Sequence, residues 1–346
     1  MIRQIPFLLI YYLTKAFILS LFLIIFPNIR MANKRLGQKK DQKICIIGAG
    51  FVGQATGKGF LSKGLDVTFL DVDSSKVNKL KEEDLDAYLL EELSNGKFSF
   101  DISFITVPTP TVQGKFNNEY LKAASEYLGE KIKYLNKYHL AVVKSTVLPG
   151  TTENLVIRTL EEVSGKKAGI DFGVCANPEY LREQRAFDDF VHAWLVVIGA
   201  LDEKSAKILL DIYRDFDCPK YVVSIKEAEI QKYAHNLFNA VKITFFNEIR
   251  SAARKLGIET EKVFRLVAES SEGMWNTIYG THDMGPFDGN CLPKDTQAFL
   301  TWLKEQGIDA ELLQAAIEVN SKIKKEYRET SQEIEEKKEY GVRYSS

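Results

Sequence analysis

Lys43-Ile44-Cys45-Ile46-Ile47-Gly48-Ala49-Gly50-Phe51-Val52-Gly53 is the stretch that decides the fold. Its first five residues are an apolar run suited to a strand buried on both faces. The run passes directly into a GxGxxG pattern. Residues 52–63 then have helix length, and Gly64 can end them. A second strand, residues 66–70, closes on Asp71. A glycine motif alone is a weak signal, and this context gives it meaning. Gly48 would allow the tight turn, Gly50 the close approach of a pyrophosphate, and Gly53 the packing of helix on strand. Phe51 and Val52, inside the motif, belong to the same expected cofactor site. Asp71 lies about twenty residues beyond the glycines, where a carboxylate can accept both ribose hydroxyls and repel a 2′-phosphate. The cofactor expected is therefore NAD rather than NADP.

Outward from this unit, strands and helices alternate to residue 223. Strands are expected at 101–107, which breaks into Pro108-Thr109-Pro110, and at 140–144, 172–176, 195–198 and 221–223. Helices are expected at 118–136, at 151–163 after the Pro149-Gly150 turn with a threonine near the cap, and at 203–215. Such alternation predicts an α/β fold, a Rossmann-type doubly wound parallel sheet. After Ser224 the pattern becomes helical, with helices over 225–256, 261–270, a segment following Cys291, and a long charged one over 309–337. The expected division is a 1–42 extension, a 43–223 NAD-binding domain, a 224–330 helical central domain and a charged tail at 331–346. In the first long helix Ile230, Tyr233, Leu237, Phe238, Val241 and Phe245 form an apolar face larger than one small layer needs, which predicts a homodimer.

A second motif carries chemistry. Gly289-Asn290-Cys291-Leu292-Pro293-Lys294-Asp295-Thr296 offers a thiol, an ammonium and a carboxylate within five positions. Pro293 suits a first helical turn. Cys291 would then precede a helix N-terminus, where free N–H groups and the helix dipole favour an anion. The neighbouring ammonium pushes the same way, towards a thiol that ionises easily. Asp295 falls one turn on and faces the same side. The bland reading is a small buried cysteine at a helix start. The charged neighbours and the nucleotide motif favour a nucleophile.

Composition narrows the classes. The chain has 346 residues and a formal net charge of -1, with charges scattered, so nothing points to nucleic acid. Its four cysteines, Cys45, Cys175, Cys218 and Cys291, form no CxxC pair, and its four histidines lack metal-ligand spacing. Cys45 and Cys175 lie in strand-like runs and are expected in the core, and a reducing cytoplasm fits better than a disulfide framework. Residues 5–26 are apolar enough to span a bilayer, and Arg30, Lys34, Arg35, Lys39 and Lys40 after them would keep the remainder cytoplasmic. A start at Met31, leaving the upstream segment outside the protein, explains the same residues equally well.

Taken in order, the motifs point to a family. They are the glycine motif at Gly48, Val107-Pro108-Thr109-Pro110, Lys144-Ser145-Thr146-Val147, Asn177-Pro178-Glu179-Tyr180-Leu181-Arg182-Glu183, Lys232-Tyr233-Ala234-His235-Asn236 and Cys291-Leu292-Pro293-Lys294-Asp295. Over roughly residues 43 to 320 the chain resembles the UDP-glucose/GDP-mannose dehydrogenases. The resemblance implies that Thr109, Ser145, Thr146 and Glu183 line the NAD site, with Lys76 near the adenosine ribose. It makes Cys291 the nucleophile, and sets Lys232, Asn236, Asp295, Glu179 and Thr146 around it. Substrate contacts would come from Glu179, Tyr180, Leu181, Lys232, Asn236 and Lys294. Lys232 and Asn236 lie one turn apart on a helix. The bland reading of Lys232 is a solvated helix charge, and that of Glu179 and Glu183 is a surface pairing with Arg182.

The implied reaction oxidises a primary alcohol at C6 of a nucleotide sugar to a carboxylate, through a cysteine thiohemiacetal and thioester. Two features depart from the family. It normally continues into a second Rossmann-like domain that grips the nucleotide, whereas this sequence runs to Glu333-Ile334-Glu335-Glu336-Lys337-Lys338-Glu339-Tyr340 with no later strand or glycine motif. Gly273-Met274-Trp275-Asn276 stands where the family carries an Arg-Ile-Gly element, and Gly285-Pro286-Phe287-Asp288-Gly289 puts an acid in the usual glycine-rich lead. Two other readings follow: a two-electron hydroxyacid-type dehydrogenase, against which the retained Cys291 argues, and a truncated NAD-binding subunit without turnover.

Overall fold

The computed structural model of the chain describes residues 30–31, 42–277, 279–281, 285–289 and 291–343. The apolar segment 5–26, its basic flank at 34–40, and Asn290 of the cysteine motif lie outside the described residues. Among the described residues no helix is long and apolar enough to cross a membrane.

The elements run β1 (Arg30–Met31), β2 (Lys43–Ile47), α1 (Phe51–Ser62), β3 (Asp66–Asp71), α2 (Ser74–Glu82), β4 (Ala87–Leu89), β5 (Ile102–Ile105), the ribbon β6 (Thr111–Val112) and β7 (Lys115–Phe116), α3 (Glu119–Lys133) and β8 (His139–Val143). They continue with α4 (Arg158–Ser164), β9 (Phe172–Ala176), α5 (Ala186–Val191), β10 (Val196–Ala200), α6 (Glu203–Ile212) and β11 (Lys220–Val223). The helical part is α7 (Ile225–Lys255), α8 (Thr260–Ser270), α9 (Glu272–Trp275), α10 (Leu292–Glu305) and α11 (Glu311–Arg343). Two compact units result, residues 1–235 and 236–346, and the division falls inside α7.

In the first unit one sheet has the order β1-β11-β10-β9-β8-β5-β2-β3-β4. From β4 to β9 every neighbouring pair is parallel. The chain moves outward from β2 to β4 on one side, then starts again at β5 on the other. The reversal lies between β2 and β5, where open α/β sheets bind ligands beyond the carboxyl ends of their strands. The expected doubly wound sheet is therefore present, with a difference at one edge. β10 runs antiparallel to β9, with Gly199 opposite Ala176 and Ala200 opposite Cys175.

Period-two alternation explains why the strands are apolar throughout. Ile44 and Ile46 enter one core with Phe69, Phe104, Leu140, Val142 and Cys175. Cys45 and Ile47 enter the other with Ile105, Ala141, Val143, Phe172 and Val174. Cys45 and Cys175 are fully buried, as their runs predicted. Phe60 of α1 packs against Phe104, Phe190 and Tyr213, with centroids 5.1, 5.1 and 5.4 Å away. Each such ring contributes about 1.5–3 kcal/mol by leaving water.

Three local differences have physical causes. The strand expected to reach residue 107 stops at Ile105, because Thr106 turns inward and its hydroxyl donates to the Gly48 carbonyl at 2.6 Å. The helix expected over 151–163 opens as a π-helical segment, Thr152–Ile157, and Thr151 makes no side-chain cap. Glu229 of α7 supplies the cap instead, accepting from the Gly150 and Thr152 N–H groups at 2.5 and 2.9 Å. α2 lies in a polar stretch, and β4 and α5, of three and six residues, are too short for periodicity to give a signal.

α7 begins with a capping box. The Ser224 N–H donates to Glu227 Oε2 at 2.7 Å and the Glu227 N–H to Ser224 Oγ at 3.3 Å. The second unit has a small core of Ala252, Leu300, Leu303, Ile308 and Ala310. Glu248 ties α11 to α7 by accepting from the Leu312 and Leu313 N–H groups at 2.7 and 3.2 Å.

The glycines make the fold testable. A Cβ on Gly53 would lie 2.0 Å from the Gly48 carbonyl oxygen and 2.7 Å from Thr106 Oγ1, whereas one on Gly50 would meet nothing within 4 Å. Gly53→Ala is expected to lower the unfolding free energy by about 3 kcal/mol or more, and Gly50→Ala to leave it unchanged. Urea unfolding of both variants checks this, and equal stability would contradict the packing described.

Candidate active site

The first unit holds a cleft of about 280 Å³ at the sheet reversal, lined by Gly50, Phe51, Val52, Thr106, Val107, Pro108, Thr109, Lys144, Ser145, Thr146 and Glu179. Gly48 makes the turn with φ of +101°, and its N–H donates to the Leu70 carbonyl at 2.8 Å. The loop thereby lies against the end of β3, where Asp71 Oδ2 accepts the Ala49 N–H at 2.6 Å. Asp71 Oδ1 accepts the Asp73 N–H at 2.9 Å, and Lys76 Nζ stands 3.5 Å from Oδ2. Asp71 thus caps the glycine loop from the place where a ribose carboxylate was expected, and Lys76 folds back onto it.

The loops leaving β5 and β8 form the opposite wall, and hydroxyls join them. Thr109 Oγ1 donates to the Thr146 carbonyl at 2.7 Å and Ser145 Oγ to the Val107 carbonyl at 2.6 Å. Each expected cofactor residue here therefore also holds the wall together. The open face over Gly50, the N-terminus of α1 behind it and the carboxylate at Asp71 fit a dinucleotide. Glu183 sits in a short 3-10 turn, exposed, and does not line the cleft.

Glu179 follows β9 and its carboxylate is used twice. Oε1 lies 3.2 Å from Lys232 Nζ, and Oε2 accepts the Leu181 N–H at 2.5 Å. Lys232 is 5% exposed and lies over the Tyr180 ring, 5.3 Å from its centroid. It is a buried paired cation rather than a solvated helix charge. Tyr180 donates its hydroxyl to Gln231, and its ring meets His235 edge-on at 5.0 Å. Burial, then the Lys232 ammonium, push the His235 imidazole below its usual range. Arg182 pairs with neither Glu179 nor Glu183. Its guanidinium forks onto Asp189 at 2.6 and 2.9 Å, which holds that carboxyl down at about 2.

Lys144, Asn177, Tyr213 and Glu229 carry no role in the sequence reading. Lys144 is 3% exposed, and burial pushes its ammonium down to about 7, against an opposing pull from Glu179. The available signal was a lysine closing an otherwise apolar strand.

In the second unit Cys291 is exposed at the N-cap of α10, with Pro293 in the first turn as expected. Its carbonyl accepts the Asp295 N–H at 2.9 Å. Lys294 and Asp295, both exposed, pair at 2.5 Å. The lead-in loop is anchored on α11: the Phe287 N–H donates to Asn320 Oδ1 at 2.7 Å, and Asn320 Nδ2 donates to the Phe287 carbonyl at 2.9 Å. Asp288 pairs with Lys324 at 2.8 Å, which holds its carboxyl below the usual range. Asn236 lies one turn beyond Lys232 on α7.

Residues 42–217 match the NAD binding domain of the UDP-glucose/GDP-mannose dehydrogenase family, and residues 226–322 match its central domain. The chain belongs to this family. It is an NAD-dependent dehydrogenase acting on CH–OH groups. GDP-mannose 6-dehydrogenase of Pseudomonas putida is 34% identical over 80% of this chain and 68% of its own length. UDP-glucose 6-dehydrogenase AglM of Haloferax volcanii is 32% identical over 80% of this chain and 69% of its own. Among solved structures, a ternary complex of GDP-mannose dehydrogenase from Pseudomonas aeruginosa superposes with a TM-score of 0.76 at 31% identity, covering 81% of this chain and 68% of that one. A UDP-glucose dehydrogenase from Pyrobaculum islandicum gives 0.63 at 35% identity, covering 84% and 70%.

The buried lysine gives a pH test. Between about 7 and the ordinary 10.5 the unfolded chain holds a proton that folded Lys144 has released. Raising pH through that window therefore stabilises the folded state, and below about 7 the full burial cost is present. Lys144→Met is expected to lose this rise. Urea unfolding at several pH values across that window checks it, and an unchanged slope would count against the burial of the ammonium.

Proposed function

We propose that this enzyme oxidises the C6 primary alcohol of a nucleotide sugar to the carboxylate in two hydride transfers, with Cys291 as nucleophile. The observation that carries the reading is the state of the cysteines. Cys45 and Cys175 are buried with thiols pushed far up by desolvation, Cys218 is half-buried, and Cys291 is exposed at a helix start. The relatives' names, GDP-mannose 6-dehydrogenase and UDP-glucose 6-dehydrogenase, support the substrate class.

The glycine loop and the cleft beside it would hold NAD, which would supply the hydride acceptor, one NAD for each oxidation. In the first, the alcohol loses a hydride from carbon and a proton from oxygen, and a water held by Asp295 with Lys232 takes the proton. Lys232 and Asn236 stabilise the oxyanion that develops when the aldehyde is attacked. The Cys291 thiolate adds to the aldehyde carbon and gives a thiohemiacetal, which loses a second hydride and a proton to become a thioester. Water placed by Glu179 or Asp295 releases the acid and restores the thiol. Thr146 belongs with this group, and Tyr180, Leu181 and Lys294 with the substrate. The chain forms a homodimer through α7, whose Leu237, Phe238, Val241, Ile243 and Phe245 are all exposed.

Cys291→Ser is expected to abolish acid formation while NAD binding and the first oxidation persist, because serine is far less nucleophilic at neutral pH. The unaltered enzyme should yield about two NADH per sugar and the variant at most about one, with aldehyde or its hydrate detectable. Acid made by the variant at near the original rate would leave Cys291 a structural residue. A single NADH from the unaltered enzyme would favour the two-electron reading. Light scattering at micromolar concentration should report twice the chain mass, and a monomer would exclude the dimer.

A further inference from the structure

Lys144 lies at the end of β8 with its side chain turned into the first unit. Its ammonium donates to Asn177 Oδ1 at 3.0 Å, to the Asn177 carbonyl at 3.4 Å and to the Tyr213 hydroxyl at 3.3 Å. A lysine has three N–H donors, and these acceptors use all of them. The rings of Phe190 and Tyr213 stand 5.4 and 5.9 Å from Nζ, within the range where a ring face attracts a cation. The Tyr213 hydroxyl itself donates to Asn177 Oδ1 at 2.6 Å, and Asn177 Nδ2 donates to the Val197 carbonyl at 2.8 Å. The Asn177 N–H continues the ladder to Val143 at 2.8 Å. Asn177 is therefore held at every polar atom.

A charge this deep is a poor way to fill space, since an apolar side chain of the same size does so without desolvation. What the charge does is read from the next two residues. Pro178 has its φ fixed by its ring, so the placement of Asn177 carries over to Glu179. Lys144, Asn177, Glu179 and Tyr180 share the wall of one cavity of about 30 Å³. Glu179 pairs with Lys232 beyond it.

We propose that Lys144 is a positioning residue for the oxidation: acting through Asn177 and Pro178, it holds the Glu179 carboxylate against Lys232. The inference rests on the reading of Glu179 and Lys232 as active-site groups. It differs from a merely structural role in one consequence, that the effect of losing Lys144 passes through Glu179.

A double-mutant cycle on the full chain tests this, with GDP-mannose and UDP-glucose as substrates. Lys144→Met is expected to lower kcat/KM about tenfold, but less than about twofold once Glu179→Gln is already present. The same loss in both backgrounds would overturn the proposal. The cycle is repeated by urea unfolding, which needs no turnover. There the shifts of the single variants should fail to add in the double variant, and additive shifts would overturn it. Non-additive unfolding in a chain that oxidises neither sugar nucleotide would sink the substrate reading and leave the positioning intact. Should Lys144→Met fail to fold, Tyr213→Phe removes one hydroxyl from the same network and carries the cycle with a smaller loss.

Discussion

The approach of Gly53 to the Gly48 carbonyl is the constraint on which the first unit depends. It leaves no room for a Cβ, and it brings the start of α1 over the end of β2. Thr106 completes the contact from β5, its hydroxyl bonding both the Ile47 and Gly48 carbonyls at 3.1 and 2.6 Å. The two halves of the sheet meet there, and the cleft exists because neither half can cover the other's strand ends. The hydroxyl links from Thr109 and Ser145 then fix the facing wall, so the cleft is bounded by hydrogen-bonded loops rather than by free side chains.

A second set of contacts fixes the start of α7. Ser224 and Glu227 cap it, and Glu229, 3% exposed, takes the amides at the start of the π-helical segment. A buried carboxylate at a helix start is favoured both by the free N–H groups and by the helix dipole. Lys232 follows Glu229 by one turn and is thereby directed at Glu179. The same helix surface that anchors α7 also aims Lys232.

Much of this was legible in the chain. The strand–glycine–helix–strand–acid order fixed the start of the sheet, because hydrophobic periodicity and glycine stereochemistry are local properties. Pro293 marked a helix start for the same reason. The antiparallel β10 was not legible, because strand direction depends on how a connection travels in space. Nor was the cap on the π-helical segment, since Glu229 lies far along the chain from Gly150.

The sequence by itself determined the fold class, the cofactor loop and the residue types of the chemistry, each through short-range patterns. Only the tertiary structure decided which charges meet. It gave Arg182 to Asp189, Lys232 to Glu179, and Lys144 to the Asn177 turn. Pairing of charges is a long-range matter: a carboxylate and an ammonium far apart in the chain become partners only where folding removes them from water together.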